Sequence, residues 1–443
     1  MSLRPLFRPR SIALVGAAHT EAKLGGVVLR NLLKFRGKVY PVNPKYDELM
    51  GIRTYRAVKD IPEPVDLALV LRPAGEVLQD VRDFKDRAQC VIIMSSGFAE
   101  IGEAALQEEV KRTAAELGIR LLGPNCMGVY NPHHRLDTLF LPKERLPRPK
   151  KGNVALVSQS GAVLSCLLTA VDEANTGISK AVGYGNAIDI DESELFDYLA
   201  GDSQTGVVVS YIESVGDGRR FVGAARRLAD RKPLIVLKAG KGTSGQAAAY
   251  SHTGRLAGSY EVFHSILRQF GIREAVDFDA LMDAAKALAY QKGLRGKRVL
   301  VVTNGGGSGV LAVDECLKQG LEVVPLSGEK KERMKGHFPN FFSVNNPIDL
   351  TAQVTDKDYV TAMCALSDDY DGFLVIALPN VLGITEGLAG LLADCRKTVN
   401  KPLVCNIPPG GIGDRLTRLL ERVKIPVYPS PERAVRGLKA LLE

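Results

Sequence analysis

The chain has no tryptophan, and phenylalanine and tyrosine bring its aromatic share to only 6%. That scarcity argues against a stacking platform for single-stranded nucleic acid, which needs exposed aromatic faces. No apolar run approaches the roughly 18 residues of a membrane helix, and the N-terminus shows no signal-peptide pattern. The seven cysteines (Cys90, Cys126, Cys166, Cys316, Cys364, Cys395, Cys405) are scattered without a Cys-x-x-Cys pair. A disulfide framework or zinc cluster is therefore not expected, and the thiols read as small hydrophobes. The expectation is a cytoplasmic protein that uses neither membrane nor nucleic acid. The formal net charge of +8 still favours anionic partners, but Lys and Arg are spread along the chain. A phosphorylated small molecule fits that balance better than a polymer.

What is present is a soluble globular composition, 45% hydrophobic and 24% charged over 443 residues, enough for roughly three domains. One opening recurs: Ser11-Ile-Ala-Leu-Val-Gly-Ala, Asn153-Val-Ala-Leu-Val-Ser-Gln-Ser-Gly161, and Arg298-Val-Leu-Val-Val-Thr-Asn-Gly-Gly-Gly-Ser-Gly309. Each is a β-branched apolar run, a small-residue turn and a stretch of helical spacing, so each opens a parallel sheet. The fold class is α/β with three doubly wound domains, expected at 1–146, 147–294 and 295–443.

In the first domain strands are expected near 11–16, 39–43, 66–71, 90–95 and 120–123. A doubly wound sheet binds its ligand at the carboxyl ends of its strands. Those ends carry Gly16, Lys23 and Gly25, then Val42-Asn43-Pro44-Lys45, Arg72-Pro73, Ser95-Ser-Gly97 and Gly-Pro-Asn125. The first turn is not Gly-x-Gly-x-x-Gly, and Asn43-Pro44-Lys45 stands where an NAD ribose would want an acid. A lysine there suits a phosphorylated ribose, which argues against a dehydrogenase and toward coenzyme A.

The second domain opens on Ser158-Gln-Ser-Gly161, running directly into a helix. Backbone N–H groups and the Ser160 hydroxyl make an anion site there, although an ordinary N-cap has the same look. The strand Gly206–Glu213 ends in an acid, an awkward neighbour for phosphate unless it serves a histidine. The turn 182–191, with Gly185 and Asn186, could line the same site. Its aspartates, Asp189 and Asp191, read as caps rather than metal ligands, and no metal is expected. The glycine-rich loop 238–258 carries one histidine, His252. In the third domain strands are expected near 298–303, 322–326, 373–378, 402–407 and 425–428. Its turn Thr303–Gly309 either holds phosphate or serves close packing, and Asn345–Leu350 announces no chemistry.

Taken together, Ser11–Gly16, Val42-Asn-Pro-Lys45, Leu122-Gly-Pro-Asn-Cys-Met-Gly128, Val157-Ser-Gln-Ser-Gly161, Gly185-Asn186 with Asp189, and Ser251-His-Thr-Gly254 resemble one family. It is that of the NDP-forming acyl-CoA synthetase α subunits, above all the ADP-forming acetyl-CoA synthetases, and more distantly succinyl-CoA synthetase. The resemblance covers essentially the whole chain. It implies a Rossmann-like CoA-binding domain followed by two flavodoxin-like domains. It implies that His252 is transiently phosphorylated and that Glu213 orients it. Phosphate would bind at Ser160 and Gly161, with Gly185 and Asn186 nearby. CoA would lie along Gly16, Lys23, Gly25, Val42, Asn43, Pro44, Lys45, Arg72, Pro73, Ser95, Gly97 and Asn125. ATP, ADP and Mg²⁺ would bind an ATP-grasp β subunit in an α2β2 heterotetramer, since no Gly-x-x-x-x-Gly-Lys-Ser/Thr segment is present. The alternative is a non-catalytic CoA-binding or regulatory protein on the same fold.

Overall fold

All five side chains of the first strand, Ser11–Val15 (β1), are buried. A strand apolar on both faces must be covered on both, which is how a parallel sheet with crossover helices arises. A computed structural model of the chain describes residues 2–242, 244–245 and 258–442. β1 is joined by Lys38–Val42 (β2), Val65–Val70 (β3), Ala88–Ile93 (β4) and Arg120–Leu122 (β5), in the parallel order β2-β1-β3-β4-β5. The crossovers include Leu24–Leu32 (α1), Ala74–Asp83 (α2) and Ala104–Glu116 (α3). Helix α1 begins directly on the first turn. A Cβ at Gly25 would fall 1.9 Å from the Gly16 carbonyl oxygen, so only glycine permits the approach.

The second sheet has seven strands. In chain order they are Gly128–Asn131 (β6), Leu136–Asp137 (β7), Lys151–Ser158 (β8), Ile178–Gly183 (β9), Val207–Ile212 (β10), Leu234–Lys238 (β11) and Arg273–Glu274 (β12), arranged β12-β11-β10-β8-β9-β6-β7. Strands β6 and β7 lie within the range expected for the first domain, yet β6 pairs antiparallel with the free edge of β9. Nothing in Gly-Val-Tyr-Asn specifies which sheet it joins; an unpaired edge does. The helices Gly161–Glu173 (α4), Glu192–Gly201 (α5), Gly218–Ala229 (α6) and Tyr260–Gln269 (α7) start on side-chain caps from Ser160, Asp191, Asp217 and Ser259. Helix α6 buries Phe221, Ala224, Ala225 and Leu228, the i, i+3, i+4, i+7 stripe of a helix laid on a sheet. Both sheets belong to one compact unit, Met1–Val276.

The other unit is Asp277–Glu443. Its first helix, Phe278–Tyr290 (α8), lies in the range expected for the second domain but packs on the C-terminal helix Pro431–Ala440. Asp283 there holds Arg433 in two bonds of 2.7 and 2.8 Å. The sheet is built from Val299–Thr303 (β13), Ser343–Val344 (β14), Ile348–Asp349 (β15), Gly372–Ile376 (β16), Leu403–Asn406 (β17) and Val427–Tyr428 (β18), in the order β14-β15-β13-β16-β17-β18.

The strand expected at 322–326 is reduced to one bridge, Arg298 to Glu322. Asn346 is the reason. Its buried amide accepts from Val301 N–H (3.0 Å) and donates to the Val299 and Val324 carbonyls (2.8 and 3.1 Å), so a side chain takes the place of the ladder. The cysteines are free thiols, and the folding of the helix Asp356–Ala365 onto the helix Leu388–Val399 brings Cys364 and Cys395 to 3.1 Å. Among the described residues no helix is long and apolar enough to cross a membrane.

Candidate active site

The carboxyl ends of the first sheet gather the residues marked in the sequence. Gly16, at φ +87°, donates its N–H to the Val42 carbonyl (3.2 Å). Asn43 ties the two turns together, donating to the Ala17 carbonyl (2.7 Å) and accepting from the Lys45 N–H (2.9 Å). Its side chain is thus consumed in shaping the turn. Lys23, Pro44 and Lys45 are exposed, and neither lysine lines the adjoining cleft. Arg72 lies at the end of β3, paired with Glu76 and, at 2.7 Å, with buried Asp80. Burial pushes Asp80 up to about 6 although Arg72 pulls it down. Pro73 stands at the start of α2, and the Ser95 hydroxyl donates to the Arg72 carbonyl. Gly97 donates to Glu100 (2.6 Å), and Asn125, at φ +53°, donates its N–H to the Ser95 carbonyl (2.8 Å).

These ends open into a cleft of about 660 Å³ whose other wall belongs to the second sheet. Arg72, Pro73, Ser95 and Asn125 face Gln159, Ser160 and Gly161 across it. The Ser160 hydroxyl accepts from the Val163 N–H (3.3 Å), capping α4, while Gly161 begins the helix. The first turn of α4 therefore points its remaining N–H groups and its positive dipole end into the cleft, the arrangement that holds an oxyanion. A larger crease of about 1010 Å³ opens at the amino ends of β3 to β5, the opposite edge of the sheet from the ligand edge. Its Arg10 and Arg120 are already paired with Asp66 and with Asp189 and Glu194.

Glu213 follows β10, which lies between β8 and β11, and it is buried. Three neighbours not singled out in the sequence surround it. Gln159, from the end of β8, accepts the N–H groups of Glu213 and Ser214 (2.8 and 2.9 Å). Lys238, the last residue of β11, donates to the Glu213 carbonyl (2.6 Å). Tyr211 lies two residues before Glu213; burial, then the Glu213 carboxylate beside it, push its phenol up. One signal was available: Lys238 is a charged residue that closes an otherwise apolar strand run. Lys238 also starts the 238–258 loop. His252, together with Ser251 and Gly254, lies outside the described residues.

Gly185 and Asn186 fall at the seam between the two sheets. A Cβ at Gly185 would meet the Pro124 carbonyl oxygen at 2.3 Å, so the two turns touch through backbone. The Asn186 amide donates to Glu100 (2.7 Å) and Gln107 (2.9 Å) of the first domain, so its N–H groups are spent on the seam. Asp189 accepts from Arg120 (2.9 Å) and from the Leu121 N–H (2.7 Å), while Asp191 caps α5. In the second unit, Asn304 of the glycine-rich turn exchanges two hydrogen bonds with Leu378. Asp349 stands against Gly306 in that turn, where an anion would be repelled.

Three family models match this chain: a CoA binding domain over residues 10–132, a succinyl-CoA ligase like flavodoxin domain over 151–288, and a ligase-CoA domain over 299–382. The α subunit of acetate–CoA ligase [ADP-forming] II from Pyrococcus furiosus is 36% identical, over 99% of this chain and 96% of that protein. Acetate–CoA ligase [ADP-forming] I of Archaeoglobus fulgidus is 37% identical over 98% of this chain, which spans 63% of that longer protein. Among solved structures, the dinucleotide-forming acetyl-coenzyme A synthetase 1 of Ca. Korarchaeum cryptofilum, in complex with phosphate and ADP, superposes with a TM-score of 0.92. It is 37% identical and matches over 99% of this chain and 96% of that one.

Proposed function

The chain belongs to the ADP-forming acyl-CoA synthetase family, and we propose that it is the α-type component of an acid–thiol ligase interconverting acyl-CoA, ADP and phosphate with acid, ATP and CoA. The observation that carries this reading is the shared cleft, where the edge assigned to CoA faces the start of α4. In the proposed sequence, phosphate held by the N–H groups at Ser160 and Gly161 attacks the thioester carbonyl carbon. A C–O bond forms, the C–S bond breaks, and the CoA thiolate leaves and takes up a proton. The neutral imidazole of His252 then attacks phosphorus; the P–O bond to the acyl group breaks and the acid departs as carboxylate. Glu213 accepts from the other ring nitrogen and stabilises the positive charge of the phosphorylated ring.

Nucleotide and Mg²⁺ are assigned to an ATP-grasp partner, in an α2β2 assembly. The 238–258 loop, which carries His252, is assigned the transfer between sites. The test is incubation of the chain with acetyl-CoA and labelled inorganic phosphate. Acid-labile, base-stable label on His252 is expected, lost in His252→Ala, which keeps CoA binding. Unlabelled wild-type protein that still binds CoA would point instead to a non-catalytic CoA-binding protein.

A further inference from the structure

Glu213 is held at its backbone, and both holding groups are side chains from the flanking strands. In the order β11-β10-β8 it occupies the central strand end. From β8, the Gln159 Oε1 accepts both the Glu213 and Ser214 N–H groups, and Gln159 Nε2 donates to the Ser214 hydroxyl at 3.0 Å. From β11, Lys238 Nζ donates to the Glu213 carbonyl at 2.6 Å and to the Ala239 carbonyl at 2.5 Å. Its ammonium also lies 5.7 Å from the centre of the Phe263 ring. Gln159 and Lys238 are 4% and 2% exposed, so neither bond competes with bulk water. Beyond the last rungs of the sheet, then, side chains continue the ladder around this one residue.

We infer that Gln159 and Lys238 are positioning residues for the phosphoryl-transfer step, fixing where the Glu213 carboxylate stands relative to the anion cradle and to the start of the loop that carries His252. Gln159 immediately precedes Ser160, the cap of α4, so a single side chain joins the cradle to the acid. Lys238 is the residue from which the loop departs. The inference rests on the reading of Glu213 given above. A group that orients the phosphorylated imidazole must be placed to within a fraction of an ångström, and displacement of about 1 Å costs on the order of 100-fold in rate.

The test uses the full chain, acetyl-CoA and labelled inorganic phosphate, and reads single-turnover labelling of His252 in a double-mutant cycle. Gln159→Met and Lys238→Met keep side-chain length and remove the polar bonds. Each is expected to lower the labelling rate at saturating phosphate at least about tenfold, with half-saturation by phosphate changed less than about threefold. In a Glu213→Gln background each is expected to cost less than about twofold further, because the group they position is already gone. A Gln159→Met effect that persists in full in that background overturns the inference and leaves the role of Glu213 standing. A normal rate in Glu213→Gln alone strikes the underlying reading instead. Ser214→Ala, which removes only the acceptor of the Gln159 amide, covers the case in which the larger changes fail to fold. It is expected to slow labelling about threefold in wild type and not in Glu213→Gln, and an unchanged wild-type rate overturns the inference.

Discussion

Lys238 stands almost out of water at the end of β11, with its ammonium donating to two carbonyls. Burial pulls its pKa down to about 8, against the opposing pull of Glu213 and Glu274. In the unfolded chain a lysine titrates near 10.4. Between these values the unfolded state binds more protons than the folded one, so stability rises with pH through that window; below pH 8 the cost of burying the charge is constant. Higher up the sign reverses. Tyr40 and Tyr260 are pushed up to about 12 by burial and by neighbouring carboxylates, so above pH 10 the unfolded chain loses phenolic protons first. Between pH 7.5 and 9.5 the buried Cys90 and Cys126 thiols, pushed up to about 12, work against this, because the unfolded chain loses their protons first. The Lys238 contribution is therefore read as a difference: in denaturant unfolding of the transition belonging to residues 1–276, wild type is expected to gain about 2 kcal/mol relative to Lys238→Met across that interval. Parallel pH profiles for the two proteins would show that the folded-state pKa is not depressed.

At the scale of elements, α4 performs two tasks with one residue. The Ser160 hydroxyl caps the helix, and the same turn is the proposed phosphate cradle. The tasks can be separated. Ser160→Ala loses the cap, costing about 1 kcal/mol, and is expected to raise the KM for phosphate severalfold. Ser160→Asp keeps a capping oxygen and hence stability within about 0.5 kcal/mol, but it sets a negative charge where phosphate binds, so its KM should rise further than that of alanine. Thermal unfolding beside initial-rate kinetics decides; equal KM values in the two variants would remove phosphate from this turn.

This dual use also explains what could be read from sequence alone. The strand–turn–helix openings were legible because apolar run, small turn and helical spacing are local patterns, and β1, β8 and β13 stand where they predict. The carboxyl-edge residues followed from that topology. Gln159 did not, because its role depends on a strand more than fifty residues away. Nor did the missing strand near 322, where the side chain of Asn346 supplies the bonds that a periodicity argument assigns to backbone. Asn186 illustrates a third case. Its position beside the site was foreseeable, but not that Glu100 and Gln107 would use up its amide.

Across residues 1–276 the two sheets are joined by charge as well as by backbone. Arg120, at the start of β5, reaches Asp189 at 2.9 Å and Glu194 at 2.6 Å, with only 17% of its side chain exposed. Hydrogen bonds to Glu194, then to Asp189, push Arg120 further up. Arg8 joins Asp202 at 3.1 Å along the same seam, and Asn131 donates to the Phe7 carbonyl at 2.9 Å. Because the cleft takes one wall from each sheet, the spacing between Asn125 and Ser160 is set by this seam. Arg120→Met should therefore have two consequences. Asp189 and Glu194 lose their shared cation, though Arg220 still lies 3.3 Å from Glu194, so the loss should be about 2–4 kcal/mol. In calorimetry of the full chain, the transition of residues 1–276 should fall by roughly 4–10 °C while that of residues 277–443 stays in place. The KM for acetyl-CoA should rise in the same variant, although Arg120 does not line the cleft. Neutralising the acids as well, in Arg120→Met/Asp189→Asn/Glu194→Gln, removes the uncompensated charge and should restore most of the stability. If stability returns while KM stays high, the arginine sets the geometry of the seam; if both return together, its contribution is only to neutralise the two acids.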